Sequence, residues 1–243
     1  MMNIDLETYI VKTNAAKNND ELFSVFKEII VFHGFDSIQF VLLNDHNQLD
    51  KEAKIGYALS FPEDWMNYYF SKRYDLIDPV IDAAQKKIGA FTWDQMIKEY
   101  HLSKKQLRIL NEASDAGLNK GISVPLRGVQ GALAGISIAS TDRVTDINPL
   151  LSDKISLMSE QLYQCFWRLH QNSNSMEKIN LSNREKDILS WSAKGLSRSQ
   201  IADKFFISEH TVDYHIRKIL KKTKAQNMTS AVFQAISLNL IQR

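Results

Sequence analysis

Between Ser182 and Lys222 the chain announces three helices in close succession, and few folds accept that arrangement. Ser182-Asn-Arg-Glu185 has the S-x-x-E form of a capping box, in which the serine caps one backbone N–H and the glutamate reaches back to another. Ile188, Leu189 and Trp191 follow as an apolar stripe, and Gly195 is placed to end that helix in a left-handed turn. Ser197-Arg-Ser-Gln200 repeats the box ahead of Ile201, Ala202 and Phe205, and Ser208 can cap a third helix running to about Thr223. At about 100° per residue, Val212, Ile216, Ile219 and Thr223 share one side of that third helix. His210, Asp213, Tyr214, Arg217, Lys218 and Lys221 fall on the other, beside Thr211 at its start. A helix held by one face, with an aromatic and several cations on the other, suits the major groove of DNA. The face alone equally fits a solvated surface; the two boxes, the glycine stop and the short second turn favour a helix-turn-helix.

Charge is distributed accordingly. From Met176 onward there are twelve Lys/Arg against six Asp/Glu, while residues 1–175 hold eighteen against twenty-two. A basic small domain joined to an acidic larger one fits a nucleic-acid binder with a partner domain that does not bind DNA. The single cysteine, Cys165, excludes an intrachain disulfide, and its neighbours Leu162, Phe166 and Leu169 place it in a helix interior. The opening MMNIDLETYI has no basic or apolar segment of a secretory signal. No apolar run approaches the roughly 20 residues that span a bilayer. The expectation is a cytoplasmic protein with no membrane partner.

Upstream, residues 4–17 and the segment from Asn19 or Asp20 to Gly34 read as helices, Ser37–Leu43 and Ile55–Phe61 as strands. Pro62 opens a helix, Asp78-Pro79 restarts the chain, and Ala90–Trp93 reads as a short strand. Helices follow over 94–100 and 103–117, then strands Gly121–Leu126 and Leu133–Ser140, then a long helix from Thr145 or Asn148 to about Gln171. The pattern predicts an α+β two-domain chain. Residues 1–171 form an N-terminal α-β-α sandwich around an antiparallel sheet. Residues 172–179, polar and aperiodic over Asn172–Lys178, form a linker, and 180–243 form an all-α four-helix domain carrying the helix-turn-helix.

Trp65, Tyr68, Tyr69, Phe70, Tyr74, Asp78 and Trp93 crowd one stretch. Trp65 and Tyr69, four apart, share a helix face. An indole N–H and a carboxylate between aromatic walls orient a small amphipathic ligand in an apolar cavity. The same residues also describe a plain aromatic core in which Asp78 caps the next segment.

The full chain resembles the LuxR family of quorum-sensing transcription factors, which respond to N-acyl-homoserine lactones. Trp65, Tyr69, Asp78-Pro79, Trp93 and Gly121 stand at the family spacing of the sensing domain, and Glu185, Leu189 and Gly195 at that of the DNA-binding domain. The resemblance implies that the Trp65 N–H bonds a lactone carbonyl and that Asp78 accepts from the ligand amide. Tyr69 and Trp93 line the pocket, Ser137 donates to the acyl carbonyl, and Gly121 is structural. It also implies a homodimer on a palindromic operator, held by His210, Thr211, Asp213, Tyr214, Arg217, Lys218 and Lys221, with RNA polymerase as a further partner. Lys222, like Lys218 and Lys221, is expected near phosphate. The chain departs from the pattern at Phe61, where many members carry a tyrosine that bonds the acyl carbonyl; one such bond is worth about 0.5–1.5 kcal/mol. That departure keeps alive a regulator responding to a non-lactone small molecule, or active without ligand. It departs again at Asp213, where a basic residue is common. No cofactor or metal is expected. The histidines show no H-x-x-H or H-E-x-x-H spacing and the chain no G-x-S-x-G elbow, so no enzyme is expected either.

Overall fold

The computed structural model describes residues 5–44, 46, 56–141, 147–171, 179–238 and 240–241. The chain divides into two compact units. Among the described residues the first holds five strands and seven helices. Two helices come first, α1 (Leu6–Ala15) and α2 (Asn19–Phe32), then strands β1 (Ser37–Leu42) and β2 (Gly56–Leu59). Next come α3 (Glu63–Ser71), a single 3-10 turn at Tyr74–Leu76, α4 (Pro79–Lys86), β3 (Phe91–Thr92), α5 (Trp93–Glu99) and α6 (Lys104–Asp115). Strands β4 (Lys120–Arg127) and β5 (Leu133–Ser140) and the long α7 (Pro149–Gln171) complete it. The strands form one antiparallel sheet in the order β2-β1-β5-β4-β3, with helices on both faces. This is the sandwich read from the sequence, with one addition and one shift. Helix α4 stands where only a restart at Asp78-Pro79 was expected, and Trp93 opens α5 rather than closing β3. The start of α7 is set by Asn148, whose Oδ1 accepts from the Leu151 N–H at 2.9 Å. The expected linker core, Asn172–Lys178, and Thr145 lie outside the described residues.

Side chains alternate across a strand, so each strand serves two layers. Ile38, Phe40 and Leu42 of β1, Ile122, Val124 and Leu126 of β4 and Ala134, Ile136 and Ile138 of β5 are buried against Phe26, Ile30, Met158, Leu162 and Phe166 of α2 and α7. Each such aliphatic or aromatic side chain contributes roughly 1.5–3 kcal/mol by leaving water. The opposite face has a different composition: Gly121, Ser123 and Pro125 on β4, Gly135, Ser137 and Ala139 on β5. Small side chains there leave room between the sheet and α3–α6, and that room is the cavity described below.

The second unit consists of α8 (Asn183–Ala193), α9 (Arg198–Phe205), α10 (Glu209–Thr223) and α11 (Met228–Ser237). Both predicted capping boxes form, with Ser182 and Glu185 at α8 and Ser197 and Gln200 at α9. Gly195 takes φ +84°, the left-handed conformation that lets the chain turn after α8 without a Cβ penalty. Ile188, Leu189, Ile201, Ala202, Val212, Ile216, Ile219, Ala231 and Ala235 close the core. Among the described residues no helix is long and apolar enough to cross a membrane.

Candidate functional site

A cavity of about 50 Å³ opens beneath α3. Phe61, Trp65, Tyr69, Asp78, Trp93 and Ser137, the six ligand-binding candidates, all border it. Helical spacing puts Trp65 and Tyr69 on one face of α3, with ring centroids 5.9 Å apart. Asp78 reaches the same space because Pro79 holds it extended, at φ −63° and ψ 120°, ahead of α4. A second chamber of about 190 Å³ adjoins it, lined by Val41, Leu43, Leu76 and Ile81 and also by the polar Gln39, Asp75 and Gln85.

Asp78 is held from two sides. Its Oδ1 caps α4 by accepting from the Val80 N–H at 2.7 Å, and its Oδ2 accepts from the Tyr69 hydroxyl at 2.7 Å. Local cap and pocket carboxylate, alternatives in the sequence, are here two oxygens of one side chain. Burial raises the Asp78 carboxyl above its ordinary value, and the bonds from Tyr69 and the backbone pull it back only in part. Burial, then the neighbouring Asp78, pushes the Tyr69 hydroxyl well above the usual phenol range, so it stays a donor.

A chain of hydroxyls runs along the sheet side. The Trp93 indole N–H donates to Ser123 Oγ at 3.0 Å, and Ser123 Oγ lies 2.8 Å from Ser137 Oγ. Sequence reasoning missed Ser123, a small polar residue in a strand whose meaning comes only from β4–β5 register, where it faces Ser137. Gly121 lies beneath Trp93: a Cβ on it would stand 2.3 Å from the indole Cε2. Phe61 packs at the edge of the cluster and offers no hydroxyl. Among the described residues no group of His, Cys, Asp and Glu is arranged to hold a metal.

On α10, Val212, Ile216, Ile219 and Thr223 are buried, as their periodicity requires. His210, Tyr214, Arg217, Lys218 and Lys221 are exposed and Thr211 and Asp213 half-exposed. Lys218 lies over the Tyr214 ring at 4.6 Å, and Thr211 Oγ1 lies 2.9 Å from Ser208 Oγ. Asp213 pairs with Arg198 of α9 at 3.0 Å, which offsets its repulsion of phosphate. Lys222 stands apart from the other lysines. Its ammonium donates to the buried Glu185 at 2.7 Å and ties the end of α10 to the start of α8, a structural employment the sequence did not reveal.

Comparison with known proteins agrees with both halves of this geometry. The family described as autoinducer binding domain matches residues 18–188, and that of bacterial regulatory proteins, luxR family, matches residues 179–235. A sensing unit for an autoinducer and a helix-turn-helix unit for DNA together define a ligand-responsive transcriptional regulator. The chain belongs to the LuxR family of such regulators. It is 31% identical over 209 residues to the HTH-type transcriptional regulator y4qH of Sinorhizobium fredii, an alignment covering 83% of this chain and 62% of that one. It is 31% identical over 194 residues to the regulatory protein SdiA of Escherichia coli, covering 77% of each. A solved structure of SdiA in complex with octanoyl-rac-glycerol has the same fold, with TM-score 0.73, 24% identity and full coverage of both chains.

Proposed function

We propose that the cavity binds an N-acyl-homoserine lactone and that this binding controls a dimer on operator DNA. The observation that carries the reading is the convergence of Trp65, Tyr69, Asp78, Trp93, Phe61 and Ser137 on one space. In it the Trp65 indole N–H donates to the lactone carbonyl and Asp78 accepts from the ligand amide. Ser137 donates to the acyl carbonyl, Tyr69 and Trp93 wall the ring, and the acyl chain enters the second chamber beyond. The ligand contributes apolar surface that the unit otherwise lacks, so binding is linked to folding. A ligand bound only by the folded form stabilises it by about 2.7 kcal/mol at a hundred times its Kd.

Dimerisation is supported by apolar side chains left exposed. Leu150 and Leu157, seven apart on α7, are 78% and 61% exposed, and Phe233 on α11 is 71% exposed. A two-fold dimer presents two α10 helices about one DNA turn apart, to a palindromic operator. Arg217 and Tyr214, with Asp213, lie at bases, with His210, Thr211, Lys218 and Lys221 nearer phosphate. RNA polymerase is the partner such a bound regulator addresses.

A second reading has a specific support. Phe61 cannot donate to an acyl carbonyl, and a solved structure of SdiA is a complex with octanoyl-rac-glycerol. In this reading the acyl chain is retained and the head group differs. Thermal denaturation of the full chain with short-, medium- and long-chain acyl-homoserine lactones, and in parallel with octanoylglycerol, separates the two. Stabilisation by a lactone supports the first reading. Stabilisation by octanoylglycerol alone transfers the assignment to the second, and silence from both overturns the acyl-ligand assignment.

A further inference from the structure

The larger chamber has one thin wall. Asp75, Leu76, Asp78, Ile81 and Gln85 border both that chamber and an open groove of about 590 Å³ on the outer surface. Ser103, Lys105 and Gln106 at the start of α6 form the other bank of the groove. Between the hollow and solvent there stands, at this place, one layer of side chains from the 3-10 turn and α4. Leu76 shows it most directly: it lines the chamber and is still 62% exposed.

Elsewhere the chamber is walled more deeply. Its floor is β1, β4 and β5, whose other face carries the main core, so nothing parts there without breaking the sheet. Toward the smaller cavity stands the Tyr69 face of α3, braced by Trp65. The 3-10 turn is a lighter structure. Its backbone bonds, Leu76 N–H to Arg73 O at 3.2 Å and Ile77 N–H to Tyr74 O at 3.0 Å, run within the segment.

The segment is built to pivot. At its front Arg73 takes φ 55° and ψ 36°, a left-handed conformation that side chains with a Cβ rarely adopt and that collects in switch segments. The Arg73 guanidinium is mostly exposed and lies 3.6 Å from Asp75, a pair that water screens. At the rear Asp78 is extended ahead of Pro79. Between them Tyr74 is buried, edge-on to Tyr68 and Tyr69, and its hydroxyl donates to Glu112 Oε2 at 2.7 Å. That bond ties the turn to α6. Among the described residues the lining of the two chambers includes neither Tyr74 nor Glu112. Phe70, Leu76 and Ile77, all exposed beside the mouth, give an acyl chain an apolar surface to meet first.

We propose, resting on the acyl-ligand reading above, that Arg73–Ile77 is the door by which an acyl ligand enters and leaves the chamber, hinged at Arg73 and latched by the Tyr74–Glu112 hydrogen bond. An enclosed ligand has to pass a moving wall, so opening limits its arrival and its departure alike. The latch is intact in the closed protein, empty or filled, and broken in the open one. Weakening it therefore raises association and dissociation rates by one common factor and leaves their ratio, the Kd, in place.

The test mixes octanoyl-homoserine lactone, and separately octanoylglycerol, with the full chain in stopped flow, reading the fluorescence of Trp65 and Trp93. Wild type is compared with Tyr74→Phe, which keeps the ring packing and removes the hydroxyl, and with Glu112→Ala, which removes the acceptor. Both variants are expected to raise both rates roughly tenfold, about what one hydrogen bond to a charged group supplies, with the Kd held within about twofold. Without ligand, hydrogen exchange at the Leu76 and Ile77 amides should quicken in the same variants while that of the α4 amides does not. Binding with rates like those of wild type overturns the door and leaves the acyl-ligand reading intact. So does a dissociation rate that changes alone and carries the Kd with it, because the pair then shapes the bound site and not the passage. Absence of binding to the wild type, by thermal shift as well as fluorescence, overturns the acyl-ligand reading and the door together.

Discussion

At the residue scale the decisive group is Asp78, a carboxylate whose burial works against its charge. Because its folded-state value is raised, the folded protein holds this proton more tightly than the unfolded chain does. Stability from this group therefore falls as pH rises from the ordinary carboxylate range through the raised value, and the full cost persists above it. Asp78→Asn removes the charge and keeps an N-cap of equal quality for α4. The ligand-free variant is expected to melt no lower than wild type near neutral pH, with any advantage shrinking as the buffer is made acidic. Its ligand-induced shift should vanish, because an amide N–H then replaces the acceptor. Denaturation curves across pH, with and without ligand, check both statements; a ligand shift that survives the substitution refutes the role assigned to Asp78. Gly121 makes a steric prediction of the opposite kind. Gly121→Ala drives a methyl group into the Trp93 indole, and overpacking of that sort costs about 1–3 kcal/mol in urea denaturation. Such residues differ in how visible they were beforehand. Trp65, Tyr69 and Asp78 lie close in sequence, so their convergence was legible from helical spacing and one proline. Ser123 was not, because its meaning comes from Trp93, 30 residues away, and from the register that pairs it with Ser137, which no local pattern encodes.

At the scale of elements, the capping box of α8 is more than a local stop signal. Glu185 caps Ser182 and also receives Lys222 from the far end of α10. Burial alone would raise its carboxyl, but the Lys222 ammonium and the Ser182 N–H outweigh burial and hold it below the usual range. A lowered carboxyl contributes stability that is complete above the unfolded value and is lost as pH falls through the folded one. Glu185→Gln preserves the box, which accepts glutamine, and removes the charge. It is expected to flatten the acid limb of the helix-turn-helix transition. Glu185→Ala should cost about 1–2 kcal/mol, a cap plus a partly solvated ion pair. Circular dichroism of the full chain from neutral to acid pH reads both. The serines and glycines that punctuate α8, α9 and α10 made these helices plain in the sequence. Helix α4 was hidden because it is short, eight residues opened by the Asp78-Pro79 pair. The Asp-Pro pair that reads as a break is equally an N-cap followed by a proline at the first helical position.

At the scale of the whole molecule, positive charge concentrated in the C-terminal unit predicts how its grip on DNA responds to salt. Operator affinity should fall linearly on a log–log plot. Replacing Lys218 and Lys221 by alanine should make the slope shallower by about 0.9 for each phosphate left unneutralised, while Arg217→Ala should chiefly erode preference for the correct sequence. Fluorescence anisotropy over a salt series distinguishes them, and an unchanged slope in the double lysine variant removes those residues from the phosphate set. The N-terminal unit keeps its two tasks apart by parity along the strands. Even-numbered side chains of β1, β4 and β5 fill the core, and Gln39, Val41, Ser123, Gly135 and Ser137 at odd positions border the hollow, which also touches Leu42, Val124 and Ile136. A library randomised at Gln39, Val41, Ser123, Gly135 and Ser137 alone should therefore yield mostly well-folded receptors with altered tastes. By the same route, descendants of this protein can learn a new chemical dialect without rebuilding the scaffold that hears it.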